Sequence, residues 1–485
     1  MFPDVLAELE ADASLDAATA FARLASGYLA AVREGDGPVS TPYTAAELAA
    51  RFDEPLPARG RPLADVLARL ARDVLADSNR LAHPMYVGHQ VSAPVPAAVW
   101  TESVVGALNN SLAVWEMSPA LTMIEHRVVR WLADLVGFDA RAGGTFTSGG
   151  TEATFAGLLA ARARALPDAW MDGIGIDPPV ILCGEHTHYA VTRAAGELGV
   201  GMRNVVVVPS REWRMDPAAL EHTVDRLTSE GRRIMAVVAT AGSTATGSFD
   251  DLEAIGALCR ARDLWLHVDG AHGASALLSH AHRDRLRGLA HASSIAWDPH
   301  KMMLMPLAAG VVLVRDERML DAAFAQRAPY LFHGAGDARV IDQGVRSVMC
   351  SRRADALKVW VALQRHGADG LGALYEHLCA VARALHDALA SRADFEVLHA
   401  PECNILCFRW LGTHAPDDPA LDEINRTLRE RYNRSGDGWI TTTVLGGRRV
   451  LRVTIMNART RAEHVARLVD GLAAAGQAAA NVADG

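Results

Sequence analysis

The spacing of apolar residues predicts helix at the start of the chain. In PDVLAELEADASLDAATAFARLASGYLAAVRE, apolar side chains stand three and four residues apart, which is the spacing of one helix face. The segment GDGPVSTPYT interrupts the pattern, and a second helical stretch runs from about Pro62 to Leu75. We therefore predict an N-terminal helical segment over residues 1–75. Its apolar stripes need a partner surface, for which a second subunit is one candidate.

Short apolar runs alternate with helical segments between about residues 76 and 355. The runs that predict strands are VILCG (180–184), VVVVP (205–209), IMAVVATAG (234–242), LWLHVDG (264–270) and AAGVVLVRD (308–316). DDLEAIGALCRARD (250–263) is one of the helices between them. Alternation of this kind is typical of an α/β domain with a mainly parallel sheet, because parallel strands need crossover connections that cover both faces.

The pattern from about residue 356 to 485 is mixed. The helix ALKVWVALQRHG precedes the strand NILCFRW, another helix, the strand RVLRVTI and a final helix. This order predicts a smaller C-terminal α+β domain after a large domain of residues 76–355.

Composition narrows the class of protein. Half of the 485 residues are hydrophobic, 22% are charged and the net charge is −9, which predicts a globular protein with a large core. No basic block interleaves with aromatic residues, so nucleic acid is not an expected partner. The chain begins without the features of a secretion signal, and its most apolar internal stretch, Met302–Val314, is too short to cross a bilayer. We expect a cytoplasmic protein with no membrane partner and with reduced cysteines.

The candidate chemistry begins with Asp269 in HVDGA and Lys301 in DPHK. Asp269 ends an apolar strand, and strand ends are where α/β sheets collect functional groups. Pyridoxal chemistry uses a lysine amine to bind the cofactor aldehyde and a carboxylate to keep the pyridine nitrogen protonated. Taken alone, the two residues are better explained as a capping aspartate and a solvated lysine.

The segment TFTSGGTEATFAGLLAARA (145–163) favours the pyridoxal interpretation. A Ser/Gly/Thr turn leads into an apolar helix. The free N–H groups of the helix start, with Gly150 and the Thr151 hydroxyl, suit a phosphate. The alternative is an ordinary helix cap by Ser148 or Thr151.

Other polar residues extend the candidate set. His188 in EHTHYAV is a candidate to stack on a cofactor ring, although a lone histidine is more often an ordinary hydrogen-bonded imidazole. Ser243 and Thr244 supply hydroxyls at another strand end. Ser111, beside a segment predicted as a buried helix, is a candidate for the substrate pocket.

Ten segments in a fixed order resemble the group II pyridoxal-phosphate (PLP)-dependent amino-acid decarboxylases, which include glutamate, cysteine-sulfinate, aromatic-amino-acid and 2,4-diaminobutyrate decarboxylases. The resemblance extends from about His83 onward. The segments are HPMYVG (83–88), NNSLAVWEMSPALTMIEHRVVRWL (109–132), FTSGGTEAT (146–154), HTHYAV (186–191), VATAGSTATGSFDDL (238–252), HVDGAHGAS (267–275), SSIAWDPHK (293–301), APYLFHG (328–334), CSRRADALKVW (350–360) and LRVTI (451–455). The resemblance implies PLP fold type I (aspartate aminotransferase-like), pyridoxal 5'-phosphate as cofactor, and a homodimer whose two subunits build each site.

The resemblance also implies roles for single residues. Lys301 would bind the cofactor covalently, Asp269 would pair with the pyridine nitrogen, and His188 and Ala271 would lie against the two ring faces. The remaining residues assigned to cofactor binding are Gly150, Thr151, Ser243 and His300.

The resemblance implies roles for two further residues near the substrate. At two other positions near the cofactor, this sequence departs from the family pattern. Tyr330 in APYLFHG corresponds to the loop tyrosine that protonates the substrate carbon, and Arg452 in LRVTI to the arginine at the substrate carboxylate. His272 stands where relatives often carry an aromatic residue, and Asp298 where some carry asparagine near the phosphate. A carboxylate there repels phosphate unless it is turned away, protonated or paired, so Asp298 is not assigned to phosphate binding.

Two residue pairs have competing interpretations. Arg352 and Arg353 either face the cofactor phosphate or a partner subunit, or form a salt bridge at a helix start. Cys403 and Cys407 are interpreted as inert thiols on a strand, because no second ligand pair for zinc lies nearby, and no metal is expected.

The function implied by the resemblance is PLP-dependent removal of carbon dioxide from an L-amino acid, with an acidic or 2,4-diaminobutyrate-type substrate. The alternatives are an aromatic-L-amino-acid decarboxylase, or an aldehyde-forming synthase or aminotransferase on the same fold. A non-catalytic relative is disfavoured because Lys301, Asp269 and Tyr330 are all present.

Overall fold

The computed structural model describes residues 2–324, 342–415 and 419–483. The helices are α1 (Phe2–Asp12), α2 (Leu15–Glu34), α3 (Ala45–Phe52), α4 (Leu63–Arg69), α5 (Pro96–Leu108), α6 (Pro119–Val136), α7 (Gly150–Ala165), α8 (Ala169–Asp172), α9 (Ala190–Glu197), α10 (Pro217–Ser229), α11 (Leu252–Ala261), α12 (Arg318–Ala323), α13 (Ala356–Ala390), α14 (Ala420–Ser435) and α15 (Ala462–Ala483). The strands are β1 (Gly143–Thr147), β2 (Val180–Gly184), β3 (Val205–Val208), β4 (Ser210–Arg211), β5 (Arg214–Met215), β6 (Ile234–Thr240), β7 (Leu266–Asp269), β8 (Ser294–Trp297), β9 (Gly310–Val314), β10 (Phe395–Val397), β11 (Ile405–Trp410), β12 (Thr441–Leu445) and β13 (Arg448–Thr454).

The chain divides into two compact units. The larger unit consists of residues 90–383 and 399–406, and the smaller unit of residues 1–89, 384–398 and 407–485. The three-part division with limits near residues 75 and 355 stays a prediction. Among the described residues, no helix is both long enough and apolar enough to span a membrane.

A seven-stranded sheet forms the centre of the larger unit, in the order β1-β9-β8-β7-β6-β2-β3. The neighbours from β8 to β3 pair in parallel, whereas β9 runs antiparallel to β1 and β8. The predicted α/β fold with a mainly parallel sheet is thus confirmed. Strands β2, β7 and β9 are buried over their whole length, which explains why β2 and β9 appear in the sequence as unbroken apolar runs and why β7 is apolar except at His267 and Asp269.

Strand β1 was not predicted, since its sequence GGTFT resembles a turn. A Cβ on Gly144 would stand 2.3 Å from the carbonyl oxygen of Val312 on β9, so the close approach of the two strands requires glycine. The strand therefore owes its glycine to packing against β9, and this contact is not visible in the local pattern.

Helix α7 packs on the sheet through small residues. Ala153, Ala156 and Ala160 are buried, and a Cβ on Gly157 would stand 2.6 Å from the Nδ1 atom of His267 on β7. The start of α7 is thereby held near the ends of the strands. Because β1, β6, β7 and β8 point in one direction, their carboxyl ends meet at the same edge of the sheet.

The smaller unit contains most of a four-stranded sheet in the order β10-β11-β13-β12. Strands β10 and β11, and strands β12 and β13, pair antiparallel. Helices α1 and α2 lie in the first predicted helical stretch, which confirms the helical start of the chain. Helices α14 and α15 belong to the same unit as most of the sheet, which confirms the α+β character of the C-terminal part.

Candidate active site

A cavity of 340 Å³ lies in the larger unit at the carboxyl edge of the sheet. Residues that follow the ends of β1, β2, β6, β7 and β8 line it. The residues proposed from the sequence that line the cavity are Gly150, Thr151, His188, Thr244, Asp269, Ala271, His300 and Lys301. The tertiary structure therefore brings together side chains from five separate segments of the chain.

Lys301 lies in a turn that follows β8. Its backbone N–H donates to the carbonyl of Asp298 at 2.9 Å, and its amine Nζ lies 3.1 Å from Oδ2 of the same residue. The Lys301 side chain is 20% exposed, whereas that of Asp298 is 2% exposed. The amine thus reaches the cavity from a rigid turn, with a buried carboxylate beside it.

Asp269 is the last residue of β7 and is buried at 8% exposure. Its Oδ1 atom accepts a hydrogen bond from the backbone N–H of Ala271 at 3.2 Å. Strand pairing with β6 places Asp269 opposite Thr240, which also lines the cavity. A carboxylate that is fixed by the backbone in this way can hold a proton on a basic ring nitrogen.

His188 follows β2 and faces the same charges. Burial lowers the pKa of His188, and the negative charge of Asp269 partly opposes this effect. Its Nδ1 atom accepts a hydrogen bond from the N–H of Ala190 at 3.2 Å. The ring is therefore neutral near pH 7, with its proton on Nε2, and its faces are suited to stacking on another ring.

The start of α7 has no side-chain cap, because its N-cap residue is Gly149. A Cβ on Gly150 would stand 2.8 Å from the Cβ of Ala271 and 2.9 Å from Oδ2 of Asp298. Glycine is therefore needed for the cavity wall to keep its shape. Uncapped N–H groups at a helix start are suited to binding an anion such as phosphate.

His300 adds a donor to this end of the cavity. Its Nδ1 atom accepts a hydrogen bond from the backbone N–H of Ala309 at 3.1 Å, which leaves the ring proton on Nε2. Burial lowers the pKa of His300, against the opposing charge of Asp298. The neutral ring therefore presents a single N–H, which lies 3.4 Å from Oδ2 of Asp298.

The loop after β6 supplies one of its two proposed hydroxyl residues, Thr244, to the cavity wall. The Ser243 hydroxyl lies 2.9 Å from that of Thr246 and 3.0 Å from that of Ser248, and these three buried hydroxyls form a closed ring. Gly242 and Thr244 line the cavity, and the role of Ser243 in cofactor binding stays a prediction. The hydroxyl ring stabilises the loop, so any contact of Ser243 with a cofactor would compete with it.

Two residues without an assigned role, His272 and Asp298, also line the cavity. The Nε2 atom of His272 lies 2.6 Å from Oδ1 of Asn404, and both side chains are buried. Asn404 could not have been found from the sequence, because it is 132 positions from His272. Thr240 could have been found, since it is the polar residue near the carboxyl end of the predicted strand 234–242.

Of the residues predicted for the substrate side, Ser111 and Arg452 are among the described residues. Ser111 accepts a hydrogen bond from the N–H of Ala113 at 3.3 Å in the loop after α5. Arg452 is buried on β13 of the smaller unit, where Nη1 donates to the Thr441 hydroxyl at 3.4 Å. Tyr330 lies outside the described residues. The roles of these three residues stay predictions.

The cysteine pair has a simple structural role. Burial raises the pKa of both Cys403 and Cys407 to about 12, which keeps them as thiols at neutral pH. Within the described part of the chain, no group of three or more His, Cys, Asp or Glu residues is placed to hold a metal ion.

The residues present fit pyridoxal phosphate. The cavity combines an amine on a buried turn, a carboxylate anchored at a strand end, and a wall at the α7 start that a single Cβ on Gly150 would fill. Lys301 could hold the aldehyde, Asp269 the ring nitrogen, and the start of α7 with His300 the phosphate.

Comparison with known proteins also indicates pyridoxal chemistry. The family model described as "Pyridoxal-dependent decarboxylase conserved domain" matches residues 47–411. The chain is 35% identical over 423 residues to L-2,4-diaminobutyrate decarboxylase of Rhizobium meliloti (strain 1021), covering 86% of this chain and 83% of that protein. It is 32% identical over 443 residues to cysteine sulfinic acid decarboxylase of Homo sapiens, covering 89% and 90%.

Solved structures share the fold. The crystal structure of mouse CSAD superimposes with a TM-score of 0.88 at 29% identity, covering 96% of this chain and 99% of that chain. The crystal structure of Oryza sativa TDC with PLP and tryptamine superimposes with a TM-score of 0.89 at 25% identity, covering 96% and 98%. The fold similarity therefore extends over both units.

Proposed function

Because this chain belongs to the pyridoxal-dependent decarboxylases and is a PLP-dependent amino-acid decarboxylase, we propose that its substrate is an acidic L-amino acid or L-2,4-diaminobutyrate. The relatives named for these substrates support the proposal. They include the diaminobutyrate decarboxylase at 35% identity, the cysteine sulfinic acid decarboxylases at 32%, and acidic amino acid decarboxylases at 32–33%.

The observation that carries the site assignment is the meeting of Lys301, Asp269 and the uncapped start of α7 in one cavity. Lys301 is assigned as the residue that holds the cofactor covalently through Nζ. His188 and Ala271 are assigned to the two faces of the cofactor ring. Gly150, Thr151 and His300 are assigned to the phosphate.

The bound cofactor supplies an electron-accepting ring that takes up the electrons left on the substrate α-carbon when carbon dioxide departs. Asp269 keeps a proton on the ring nitrogen, and burial of this carboxylate strengthens the interaction. Tyr330 is assigned to deliver a proton to the α-carbon as a general acid.

A panel of L-amino acids tests the substrate proposal. Purified full-length protein is incubated with 2,4-diaminobutyrate, cysteine sulfinate, aspartate, glutamate and tryptophan, and carbon dioxide and amine are quantified. We expect one of the first four to be turned over fastest, with equal amounts of both products. Fastest turnover of tryptophan would contradict the substrate class, and aldehyde in place of amine would contradict the reaction. A Lys301→Ala variant measures the background.

The covalent assignment has its own test. Borohydride reduction of the holoenzyme followed by peptide mapping should find the pyridoxyl group on Lys301. An adduct on any other lysine would contradict the assignment of this cavity as the cofactor site.

We also propose that the enzyme is a cytoplasmic homodimer. The exposed apolar side chains Trp100, Val104 and Leu108 follow one another along one face of α5, and such a stripe suits burial against a second subunit. Sedimentation equilibrium of the holoenzyme should give twice the mass of the chain, and a monomer would contradict this part of the proposal.

A further inference from the structure

Asp298 is a buried carboxylate in the wall of the cofactor cavity that the proposed chemistry does not use. It follows directly after β8, and its backbone N–H donates to the carbonyl of Ala271 at 3.1 Å. The residue is 1% exposed and lines the cavity. Its position is therefore fixed by the sheet, and water cannot easily reach its charge.

The two oxygens of this carboxylate differ in their partners. Oδ2 lies 3.1 Å from the amine of Lys301 and 3.4 Å from Nε2 of His300. Oδ1 is buried and has no hydrogen-bond partner among the described residues. The charge of Asp298 is thus balanced mainly by one ammonium group, and that group belongs to the residue assigned to hold the cofactor covalently.

The same carboxylate lies against the start of α7. A Cβ on Gly150 would stand 2.9 Å from Oδ2 and 3.4 Å from Cγ of Asp298. This helix start lacks a side-chain cap and is the place assigned to the cofactor phosphate. A carboxylate and a phosphate would therefore occupy neighbouring positions in a buried cavity, where charge repulsion is weakly screened.

The remaining charged groups around Asp298 do not neutralise it fully. His188, after β2, is affected by the charge of Asp298, but its burial favours the neutral ring. His300 is neutral for the same reason. On α7, Glu152 adds a second carboxylate, which accepts hydrogen bonds from the backbone N–H and hydroxyl of Ser148 at 2.8 and 2.7 Å. Among the described residues, Lys301 is the lysine whose amine lies within ion-pair distance of Asp298.

We propose that the Asp298 carboxylate opposes the cofactor phosphate at the start of α7 and makes this enzyme hold its cofactor less tightly than it would with asparagine at this position. The inference rests on the proposed placement of the phosphate. Its consequence is that the enzyme exchanges cofactor with solution and that the loaded fraction follows the free concentration of pyridoxal phosphate.

The test compares two ligands that cannot bond to Lys301, pyridoxine 5'-phosphate and pyridoxine. Their dissociation constants are measured by isothermal titration calorimetry on the full-length chain after its cofactor has been removed. In Asp298→Asn we expect pyridoxine 5'-phosphate to bind at least about tenfold more tightly, because one charge close to the phosphate is removed. Pyridoxine, which lacks the phosphate, should bind equally well to both proteins.

A matched control and two contrary outcomes make the test decisive. Asp134→Asn removes the same charge from an exposed position on α6 and should leave both affinities unchanged. Unchanged or weaker phosphate-ligand binding in Asp298→Asn, or equal tightening of both ligands, would overturn the inference. If circular dichroism shows that Asp298→Asn is unfolded, Asp298→Ser is used in its place. The same tighter binding of pyridoxine 5'-phosphate is expected for that variant. Failure of the phosphate ligand to bind any of these proteins would instead contradict the proposed cofactor site.

Discussion

The guanidinium of Arg352 lies 2.8 Å from the carboxylate of Glu125, and both side chains are at most 1% exposed. Nη2 of Arg352 also donates to the carbonyl of Phe146 at 2.8 Å, and the N–H of Phe146 donates to the same Glu125 oxygen at 3.1 Å. The pair therefore anchors β1, from which the chain enters the cofactor cavity at Ser148. Of the two interpretations of Arg352 from the sequence, the structure supports a salt bridge.

Arg352→Met should lower the free energy of unfolding by about 3–5 kcal/mol, because it leaves the buried Glu125 carboxylate without its ion-pair partner. The measurement is the urea midpoint of the holoenzyme. Arg353→Met is the matched control, since the Arg353 side chain is 57% exposed and its ion pair with Glu102 should contribute less than about 1 kcal/mol. Equal effects of the two substitutions would contradict the anchoring role. The double variant Arg352→Met/Glu125→Leu should recover most of the loss.

Gly150→Ala should prevent cofactor binding while the protein still folds. The new Cβ would stand 2.8 Å from the Cβ of Ala271 and 2.9 Å from Oδ2 of Asp298, so the cavity wall must shift. Visible absorbance and cofactor content measure the loss. Gly106→Ala on α5 is the control, because a Cβ there meets nothing within 4 Å, and it should keep full cofactor content. Normal cofactor content in Gly150→Ala would argue against phosphate binding at the start of α7.

Asp269→Asn should reduce decarboxylation by about 100-fold or more, because a neutral amide cannot stabilise the positive charge on the ring nitrogen. The covalent link at Lys301 should still form, so borohydride reduction followed by peptide mapping should give the same adduct as in the wild type. Activity within a few-fold of the wild type would contradict the role of Asp269.

Tyr330→Phe should keep cofactor binding but lose clean amine production, since the general acid for the substrate α-carbon is removed. A decrease of about 10²–10⁴-fold in amine formation is expected for loss of such a group. The products are measured by chromatography, with aldehyde from oxidative deamination as the expected by-product. Unchanged amine turnover would reject the role.

Asp250 should make stability depend on pH. It is buried and accepts hydrogen bonds from the N–H groups of Met215 and Thr240 at 2.8 and 2.7 Å. Burial raises the pKa of Asp250 from 3.8 to about 6, so the folded state holds the proton more tightly than the unfolded state. The resulting contribution to stability is fully present below about pH 4 and is lost as the pH rises through 6.

The measurement is the unfolding free energy of the wild type minus that of Asp250→Asn at several pH values. This difference should fall by about 1 kcal/mol between pH 5 and pH 7. Taking the difference removes the contribution of the other titrating groups. A difference that is constant or rises over this interval would contradict the raised pKa of Asp250.

The local sequence was sufficient for five strands of the seven-stranded sheet, β2, β3, β6, β7 and β9, but not for β1 and β8. Strands buried on both faces are apolar along most of their length, so β2, β6, β7 and β9 could be recognised from runs of apolar side chains. Asp269 could be placed because it stands at the end of such a run. Lys301 could be placed only by adding the family resemblance, since a lysine in a loop is usually solvated.

Only the tertiary structure decided which polar groups face one another. It placed Ser243 in a ring of hydroxyls, set the tautomer of His300 through Ala309, and brought Asp298 against both Lys301 and Gly150. The physical reason is the distance along the sequence over which each feature is determined. Strand and helix patterns arise from neighbours in sequence, whereas a buried charge is balanced by whatever the fold brings close, as Glu125 balances Arg352 from 227 positions away.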